Sequence, residues 1–269
     1  MLMRYLVFGD VHGNIDALDA VLAAGNARGV EAYLMTGDLV GYGPSPLECV
    51  GHMLELQEHG KLAWVLGNHE LVVRGEIDPA AYNEEAAHTL TWTRALIAAH
   101  APAREFIASG ELSVQVDDLI FLTHDSLAEP GIGYYHRNPQ NAKSELACLR
   151  FKKGKVCFYG HTHQMRAELN REGAIVLAPM ITHDGDGEDP KPLRLRAEEF
   201  GWIGAGSVGF PANASRWPEY LILDDGDPAE WRIEKYTVKY SRDAAKKRTI
   251  EALTPVCGRE VAERIARWL

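Results

Sequence analysis

The chain has 269 residues, 46% of them hydrophobic, which is enough for a sizeable core and too many for a disordered chain. Its formal net charge of −10 argues against a nucleic-acid partner, because such binding rests on Lys and Arg meeting phosphates. No apolar run approaches the roughly 20 residues of a membrane span, and the N-terminus is too short for a signal peptide. With four scattered cysteines and no CxxC pair, the expectation is a cytoplasmic protein with reduced thiols and no membrane contact.

The first part of the chain alternates strand and helix patterns. Short apolar runs predict strands at 4–8, 32–35 and 62–66, and helical spacing of apolar residues predicts helices at 15–24 and 47–58. Asn14 stands where the N-cap of the first helix is expected. This β-α-β-α-β order predicts a parallel sheet with helical crossovers.

The pattern changes near residue 74. Two helices, at 80–98 and from Pro102, predict a helical cap over about 74–110. The remainder is mainly β, with strands expected at 112–116, 119–122, 156–159, 167–170, 175–178, 202–208, 220–223 and 231–240, a helix at 140–150, and a surface loop at 183–192. We predict one domain over 1–240 that contains the cap, followed by a helical tail over 241–269.

Eight potential metal-binding or catalytic side chains lie in five short clusters, four of which directly follow a β-like segment. They are Asp10, His12, Asp38, Asn68, His69, His124, His161 and His163. Open α/β sheets place their chemistry in the loops at the carboxyl ends of strands. Because Asp, His and Asn supply oxygen and nitrogen donors for divalent transition metals, the clusters predict a dinuclear metal hydrolase.

The spacing allows two metal ions rather than one. Residues two apart in an extended segment point the same way, so a D-x-H or H-x-H pair can reach one ion. The first ion could be held by Asp10, His12, Asp38 and His163, and the second by Asp38, Asn68, His124 and His161. Asp38 would then bridge the pair, since a carboxylate has two oxygens. His69 is not needed as a ligand and is left to act as a general acid or to stabilise the transition state.

These five motifs resemble those of the calcineurin-like metallophosphoesterases, in which a DxH, a GDxx, a GNH, a lone His and a GHxH each follow a strand. The resemblance covers positions 9 to 163. It implies an α/β fold, a four-layer α/β/β/α sandwich of two mixed sheets with a helical cap insertion, extending to about residue 238. It also implies a metal-dependent phosphoesterase that uses the metal-binding residues given above.

Several details distinguish subgroups of that family. Gly41 and Tyr42 stand where protein Ser/Thr phosphatases carry Asp and Arg, so the Asp that would orient His69 is missing, as is an Arg for the phosphate. The GSVG sequence at 206–209 resembles small bacterial phosphodiesterases, and GDLVGYGPSP at 37–46 resembles a larger bacterial subgroup with a helical insert after GNH.

Two acidic neighbours of the motifs have open roles in the sequence. Asp125 follows His124 where the family usually has Gly, and it could tune the second metal position or point to solvent. Glu70 could orient a ligand or the general acid, or be a solvated carboxylate. Ser207 is expected to support a tight turn rather than to act as a nucleophile.

The expected function is hydrolysis of phosphodiesters or small phosphomonoesters, with nucleotides among the candidates, by attack of a metal-bridging hydroxide. One alternative is a Ser/Thr-type protein phosphatase, which Gly41 and Tyr42 disfavour. Another is a non-catalytic protein-binding scaffold of the same fold. A scaffold predicts lost ligands, whereas this chain retains all of them.

Two divalent metal ions per chain are expected. The resemblance favours Mn or Fe, and the donor set also suits Zn, Co or Ni. Asn68 and His69 are predicted to contact a small phosphate-ester substrate, and His136 and Arg137 are weaker candidates for the same role. Three residues of the cap helices, Asn83, His88 and Trp92, could line the pocket or serve packing. The tail, which ends at Trp268 and Leu269, could pack on its own domain or on a partner, so an oligomer stays open.

Overall fold

The computed structural model of the chain describes residues 3–131, 139–180, 182–183 and 192–269, with the backbone alone at 139–141 and 182–183. Its helices are α1 Ile15–Ala27, α2 Pro46–Glu58, α3 Asn68–Arg74, α4 Glu84–Ala99, α5 Ala101–Ser109, α6 Pro139–Phe151, α7 Arg242–Cys257 and α8 Arg259–Ala266. A 3₁₀ turn at Pro79–Ala81 precedes α4.

The described strands form two mixed sheets. The first contains β1 Arg4–Phe8, β2 Ala32–Met35, β3 Leu62–Trp64, β9 Thr182–His183, β10 Leu193–Arg196, β12 Glu219–Asp224 and β13 Glu230–Thr237. Its order is β10-β13-β12-β1-β2-β3, with β9 paired to β13. The second contains β4 Ser113–Gln115, β5 Ile120–Thr123, β6 Val156–Tyr159, β7 Met165–Arg171, β8 Ala174–Ala178 and β11 Phe200–Ala205. Its order is β4-β5-β6-β11-β7-β8.

Alternating side chains build a layered core. On β1, Tyr5 and Val7 face a cluster shared by both sheets, whereas Leu6 and Phe8 face the cluster under α1 and α2. Successive strand residues point to opposite faces, so one strand supplies both clusters. The outer face of the second sheet packs Trp202 against α6. This confirms the predicted sandwich, with helices outside two stacked mixed sheets.

Parallel pairing brings the motif loops to one edge of the sandwich. In the first sheet β1 pairs in parallel with β2, and β2 with β3. In the second sheet β5 pairs in parallel with β6, and β6 with β11. The loops after these strands therefore leave at the same ends of their sheets, which is the condition for the motifs to meet.

Some boundaries differ from the sequence expectation. Helix α3 was not predicted, because it has only seven residues and begins inside the GNH motif. Strand β10 was missed although its LRLR sequence alternates buried Leu with exposed Arg. Strand β11 ends at Ala205 rather than at 208, since the chain turns at Gly206, where φ is +76°.

The predicted cap of the first helix is confirmed. Asn14 caps α1, its side chain accepting a hydrogen bond from the Ala17 N–H. Strands β7 and β8 form a hairpin whose two loop residues, Glu172 and Gly173, both have positive φ, as a type I′ turn requires. All four cysteines are free. Among the described residues, no helix is both long enough and apolar enough to cross a membrane.

The cap and tail helices pack on their own chain. Helix α4 contacts α3, α5, α7 and α8. A buried cluster joins Leu253, Val261 and Ile265 of the tail to Phe210, with Tyr42 and Trp92 packed against it. The tail thus borders the edge where the motif loops meet. The division at residue 240 stays a prediction, as does any assembly with a partner.

Candidate metal centre

The structure brings the eight predicted residues together. Asp10 and His12 follow β1, Asp38 follows β2, Asn68 and His69 follow β3, His124 follows β5, and His161 and His163 follow β6. Within this convergence, three-residue groups with donor atoms less than 4.8 Å apart are Asp10, His12 and His163; Asp38, His124 and His161; and His12, Asp38 and His69. The sequence prediction of one shared site therefore agrees with the geometry, while ligation itself stays a prediction.

In the group of Asp10, His12 and His163, the Nε2 atoms of the two histidines point toward each other. Nε2 of His12 and Nε2 of His163 lie 3.0 Å apart, and Oδ1 of Asp10 is 3.3 Å from the latter nitrogen. Nδ1 of His163 lies 2.8 Å from the Phe210 carbonyl, which can only accept, so Nδ1 carries the proton. Nε2 of His163 faces the centre, where its lone pair can coordinate a cation in the arrangement usual for metal-bound histidines.

The second group is centred on the Asn68 amide oxygen. This oxygen lies 2.8 Å from Nδ1 of His161 and 3.1 Å from Nε2 of His124. Nδ1 of His124 donates to the Thr36 carbonyl at 2.7 Å, so its Nε2 also faces the site. One amide oxygen and two imidazoles thus converge, which suits a divalent transition metal.

Asp38 lies between the two groups. Its Oδ2 is 3.4 Å from Nε2 of His124 and 3.8 Å from Nε2 of His12. Its Oδ1 accepts a hydrogen bond from the His69 N–H at 2.9 Å, which fixes the carboxylate. This is the position that the bridging prediction requires.

His69 is buried beside Asp38, and a backbone carbonyl orients it. Nδ1 donates to the Val40 carbonyl at 3.0 Å, so Nε2, which lies 3.9 Å from Oδ2 of Asp38, faces the site. The carbonyl occupies the role of the carboxylate that protein phosphatases have at position 41. A Cβ on Gly41 would come within 2.1 Å of Nδ1 of His69, so only glycine fits there.

Glu70 holds the loops of the centre together. It is fully buried, and its carboxylate accepts hydrogen bonds from the N–H groups of Asp38 at 2.9 Å, Val40 at 3.1 Å and Gly67 at 2.8 Å. Burial, then the charge of Asp38, raises its pKa to about 7. The solvated alternative is wrong, since this buried carboxylate has backbone partners in the loops after β2 and β3.

Asp125 and Ser207 also stabilise turns. Oδ1 of Asp125, a buried residue, accepts from the N–H groups of Ser126 at 2.7 Å and Gly131 at 3.0 Å, so the solvent-facing alternative is wrong. Oγ of Ser207 donates to the Asp10 carbonyl at 2.9 Å and accepts from the Phe210 N–H at 2.9 Å. The expected turn near the site is therefore present.

Burial and charge set the protonation of the cluster. Burial, then the charge of His69, lowers the pKa of His12 well below its ordinary value, and burial, then the charge of His124, lowers that of His161 to about 4. Burial alone would raise the pKa of Asp38, but the charges of His124 and His69 hold it well below its usual range. Burial would also lower the pKa of His124 and His163, but the charge of Asp38 raises that of His124 to about 10, and the charge of Asp10 raises that of His163. Metal binding needs neutral imidazoles and an ionised carboxylate, so a cation would compete with protons at these two rings.

A cation would satisfy groups that the protein leaves unsatisfied. Oδ2 of Asp10 is buried and has no hydrogen-bond partner in the described part of the chain. A Cβ on Gly160 would come within 2.7 Å of this oxygen, so the glycine keeps the space beside it open. Buried carboxylate oxygens without partners are costly unless a cation meets them, so the donor set fits metal binding.

Other predicted residues have different positions. His136 and Arg137 lie outside the described residues. On α4, His88 is exposed and Trp92 packs on the tail cluster. Asn83 caps α4, accepting from the Ala86 N–H at 2.9 Å.

The sequence reasoning missed Tyr82. Its hydroxyl accepts a hydrogen bond from Nδ2 of Asn68 at 3.0 Å. This turns the amide oxygen toward His124 and His161. No periodicity or motif marks the residue, because the contact depends on how the cap lies over the centre.

Comparison with known proteins gives a consistent picture. The calcineurin-like phosphoesterase family model matches residues 3–165. An uncharacterized protein of Methanocaldococcus jannaschii is 28% identical over 258 residues, which cover 93% of each chain. A symmetrical bis(5'-nucleosyl)-tetraphosphatase of Psychromonas ingrahamii is 41% identical over 70 residues, 26% of this chain and 25% of that protein.

Two solved structures share the fold over nearly the whole chain. A metallophosphoesterase from Sphaerobacter thermophilus superposes with a TM-score of 0.75 at 24% identity, covering 100% of both chains. A hypothetical protein from Pyrococcus horikoshii OT3 superposes with a TM-score of 0.68 at 17% identity, covering 97% of both. At these identities the likeness shows the fold.

Proposed function

The chain belongs to the calcineurin-like phosphoesterase family, whose members are metal-dependent hydrolases, and we propose that it uses two metal ions to hydrolyse phosphodiesters or small phosphomonoesters. The observation that carries this proposal is Asp38, whose Oδ2 lies within 4 Å of histidine nitrogens from both donor groups. A single carboxylate between two such groups suits a pair of ions better than one.

The residues fit two positions. Asp10, His12, His163 and Asp38 would hold the first ion, and Asp38, Asn68, His124 and His161 the second. Bound there, the ions would neutralise charge on the phosphoryl oxygens and lower the pKa of the attacking water. We propose Mn or Fe, with Zn, Co and Ni as alternatives that the same donors accept.

His69 supplies the proton step in this proposal. Its Nδ1 proton is fixed on the Val40 carbonyl, so Nε2 is the atom that exchanges a proton with the substrate. Burial, ahead of any other influence, lowers the pKa of this ring. An anionic ester beside Nε2 opposes that effect, so the ring becomes protonated once substrate is bound and then gives its proton to the leaving oxygen.

The retained residues support an enzyme over a scaffold, because all predicted ligands and His69 converge. Gly41 supports a small ester over a phosphoprotein, since there is no space for the carboxylate that protein phosphatases place beside the histidine. The 70-residue match to a bis(5'-nucleosyl)-tetraphosphatase adds support for nucleotide esters among the substrates.

The first test compares hydrolysis of bis-p-nitrophenyl phosphate and p-nitrophenyl phosphate by metal-stripped protein with and without added Mn²⁺. We expect turnover only with metal. His69→Ala should lower kcat by about 10²-fold or more, the range of general acid catalysis, while metal content stays at two ions per chain.

Two results would contradict the proposal. Absence of turnover of both esters at full metal content would favour the scaffold alternative. Unchanged turnover in His69→Ala would remove this residue from the mechanism.

A separate variant, Asp38→Asn, tests the bridging role of Asp38. It should lower the bound content of both ions, and retention of two ions at wild-type affinity would refute that role.

A further inference from the structure

A cleft of about 710 Å³ opens beside the metal centre, and we refer to it as the side cleft. His161 and His163 border it on the side of the centre. Its other walls come from three separate segments: the loop after β11 with Phe210 and Arg216, the start of α4 with Asn83, and the end of the tail with Ile265 and Trp268. A cavity of this size accommodates a ligand as large as a nucleotide.

The tail wall is held in place by contacts on both sides. Nη1 of Arg216 donates to the Arg267 carbonyl at 2.9 Å, which joins the β11 loop to the tail. Nε of Arg264 donates to Glu85 at 2.7 Å, and the same guanidinium pairs with Glu84, which joins the tail to α4. The tail therefore forms a fixed wall of the cleft.

In the tail wall, buried apolar side chains support one exposed aromatic ring. Phe210 and Ile265 are buried in the tail cluster, whereas Trp268 is 58% exposed. The Arg216 guanidinium lies 6.0 Å from the centroid of the Trp268 ring. An exposed indole beside a guanidinium is a surface on which a planar aromatic group can stack.

The remaining lining favours a heterocycle over a plain hydrocarbon ring. Two exposed amide residues, Asn83 and Gln164, line the cleft. Gln164 offers a donor and an acceptor to ring edges, and Asn83, whose oxygen caps α4, offers its NH₂ donors. Glu85, the carboxylate of the lining, is already neutralised by Arg264. The charge that remains in the lining is that of the Arg216 guanidinium, which is attracted to the π-face of an aromatic ring, so a neutral heterocycle fits there while the phosphate lies at the centre.

We infer that the side cleft binds the nucleobase of a nucleotide ester, with the base stacked on Trp268 and its phosphate at the metal centre. This inference rests on the proposed function and adds to it a substrate class and a specificity-determining residue. It also gives the tail a role: the tail carries the stacking ring to the edge of the centre.

The test is a calorimetric titration of the Mn²⁺-loaded protein with two phosphonates that cannot be hydrolysed. One is the analogue of AMP in which CH₂ replaces the 5′-oxygen, and the other is the matching ribose phosphonate without the base. Stacking of a base on an aromatic side chain predicts about tenfold tighter binding of the first compound. The same stacking predicts that this advantage falls to about twofold or less in Trp268→Ala and largely persists in Trp268→Phe.

Phe151→Ala is the matched control. Phe151 is an aromatic residue of α6 that is 88% exposed and does not line the side cleft, so the variant should keep the full base advantage. Equal affinity of the wild type for the two phosphonates would overturn the inference, as would failure of both to bind or an advantage that survives Trp268→Ala. The proposed function is judged separately, because metal-dependent turnover of bis-p-nitrophenyl phosphate needs no base.

Discussion

Five of the eight residues at the centre have a left-handed backbone. Their φ values lie between +49° and +62°, and the residues are Asp10, His12, Asp38, His161 and His163. Each such residue costs about 1 kcal/mol or more unless it is glycine. Backbone hydrogen bonds stabilise these turns, among them those from the Asp10 N–H to the Gly37 carbonyl and from the His12 N–H to the Asp38 carbonyl, each 2.9 Å long. Within the centre, the strain falls on residues whose side chains face inward.

At the residue scale, Gly41 sets the position of His69. In Gly41→Ala the new Cβ would come within 2.1 Å of Nδ1 of His69 and displace the ring from the Val40 carbonyl. We expect kcat on bis-p-nitrophenyl phosphate to fall by about 10²-fold, approaching the loss in His69→Ala, because general acid catalysis needs that geometry. Steady-state kinetics measure the fall in kcat, and metal analysis of the same preparation shows whether the ions are retained.

Gly173→Ala serves as the control for backbone strain. Gly173 has φ +81°, close to the +91° of Gly41, but nothing lies within 4 Å of its added Cβ. Both variants should lose stability by about 1 kcal/mol from the left-handed alanine. If Gly41→Ala retained wild-type kcat, or if Gly173→Ala lost as much activity, crowding of His69 would not be the cause.

At the scale of elements, the cap contacts the metal centre through the Tyr82 hydroxyl. Tyr82 lies between the 3₁₀ turn and α4, and its hydroxyl fixes the Asn68 amide so that the oxygen faces the histidines. Removing it in Tyr82→Phe should weaken Mn²⁺ binding at the second position about tenfold, the effect typical of partners that orient a ligand. The Mn²⁺ concentration for half-maximal activity measures the change.

Tyr33→Phe is the matched control for that substitution. The Tyr33 hydroxyl bonds to Asn26, so the variant also removes a Tyr–Asn hydrogen bond, but away from the centre. It should leave the Mn²⁺ requirement unchanged. An unchanged requirement in Tyr82→Phe as well would show that the Asn68 amide keeps its orientation without the cap.

The elements also show where local sequence is informative. Strands were predicted at 167–170 and 175–178, and Glu172 and Gly173 between them form the tight turn of the β7–β8 hairpin. By contrast, α3 starts at Asn68 after the N-cap Gly67, which has no side chain to mark the start of the helix. Glu70 caps this start by accepting from the Gly67 N–H, and it also accepts from the N–H groups of Asp38 and Val40, which are distant in sequence.

At the scale of the molecule, the donors come from both sheets. Asp10 and Asp38 follow strands of the first sheet, whereas His124 and His161 follow strands of the second. Ions held between them would therefore connect the two halves of the sandwich. Because such ions bind the folded chain and not the unfolded one, they add to the free energy of unfolding.

This arrangement predicts a large effect of metal removal on thermal stability. Mn²⁺ at about 100 times its Kd adds about 2.7 kcal/mol for each ion bound, which should raise Tm by about 5–10 °C per ion for a chain of this size. Calorimetry of stripped and reloaded protein measures the shift. Asp38→Asn should show a much smaller gain, and an equal gain in that variant would mean that the stabilising ions bind elsewhere.

The sequence by itself determined the alternation of strands and helices and the identity of the eight converging residues, and the resemblance of its motifs implied the sandwich. Strand periodicity, the turn residues and the order of the motifs are local features, and the parallel crossovers bring strand ends to one edge. Only the tertiary structure decided what surrounds those residues. The Val40 carbonyl on His69, the Tyr82 hydroxyl on Asn68 and the tail wall with Trp268 join segments far apart in sequence. Such contacts depend on how the cap and tail pack against the sheets, and no local pattern encodes that packing.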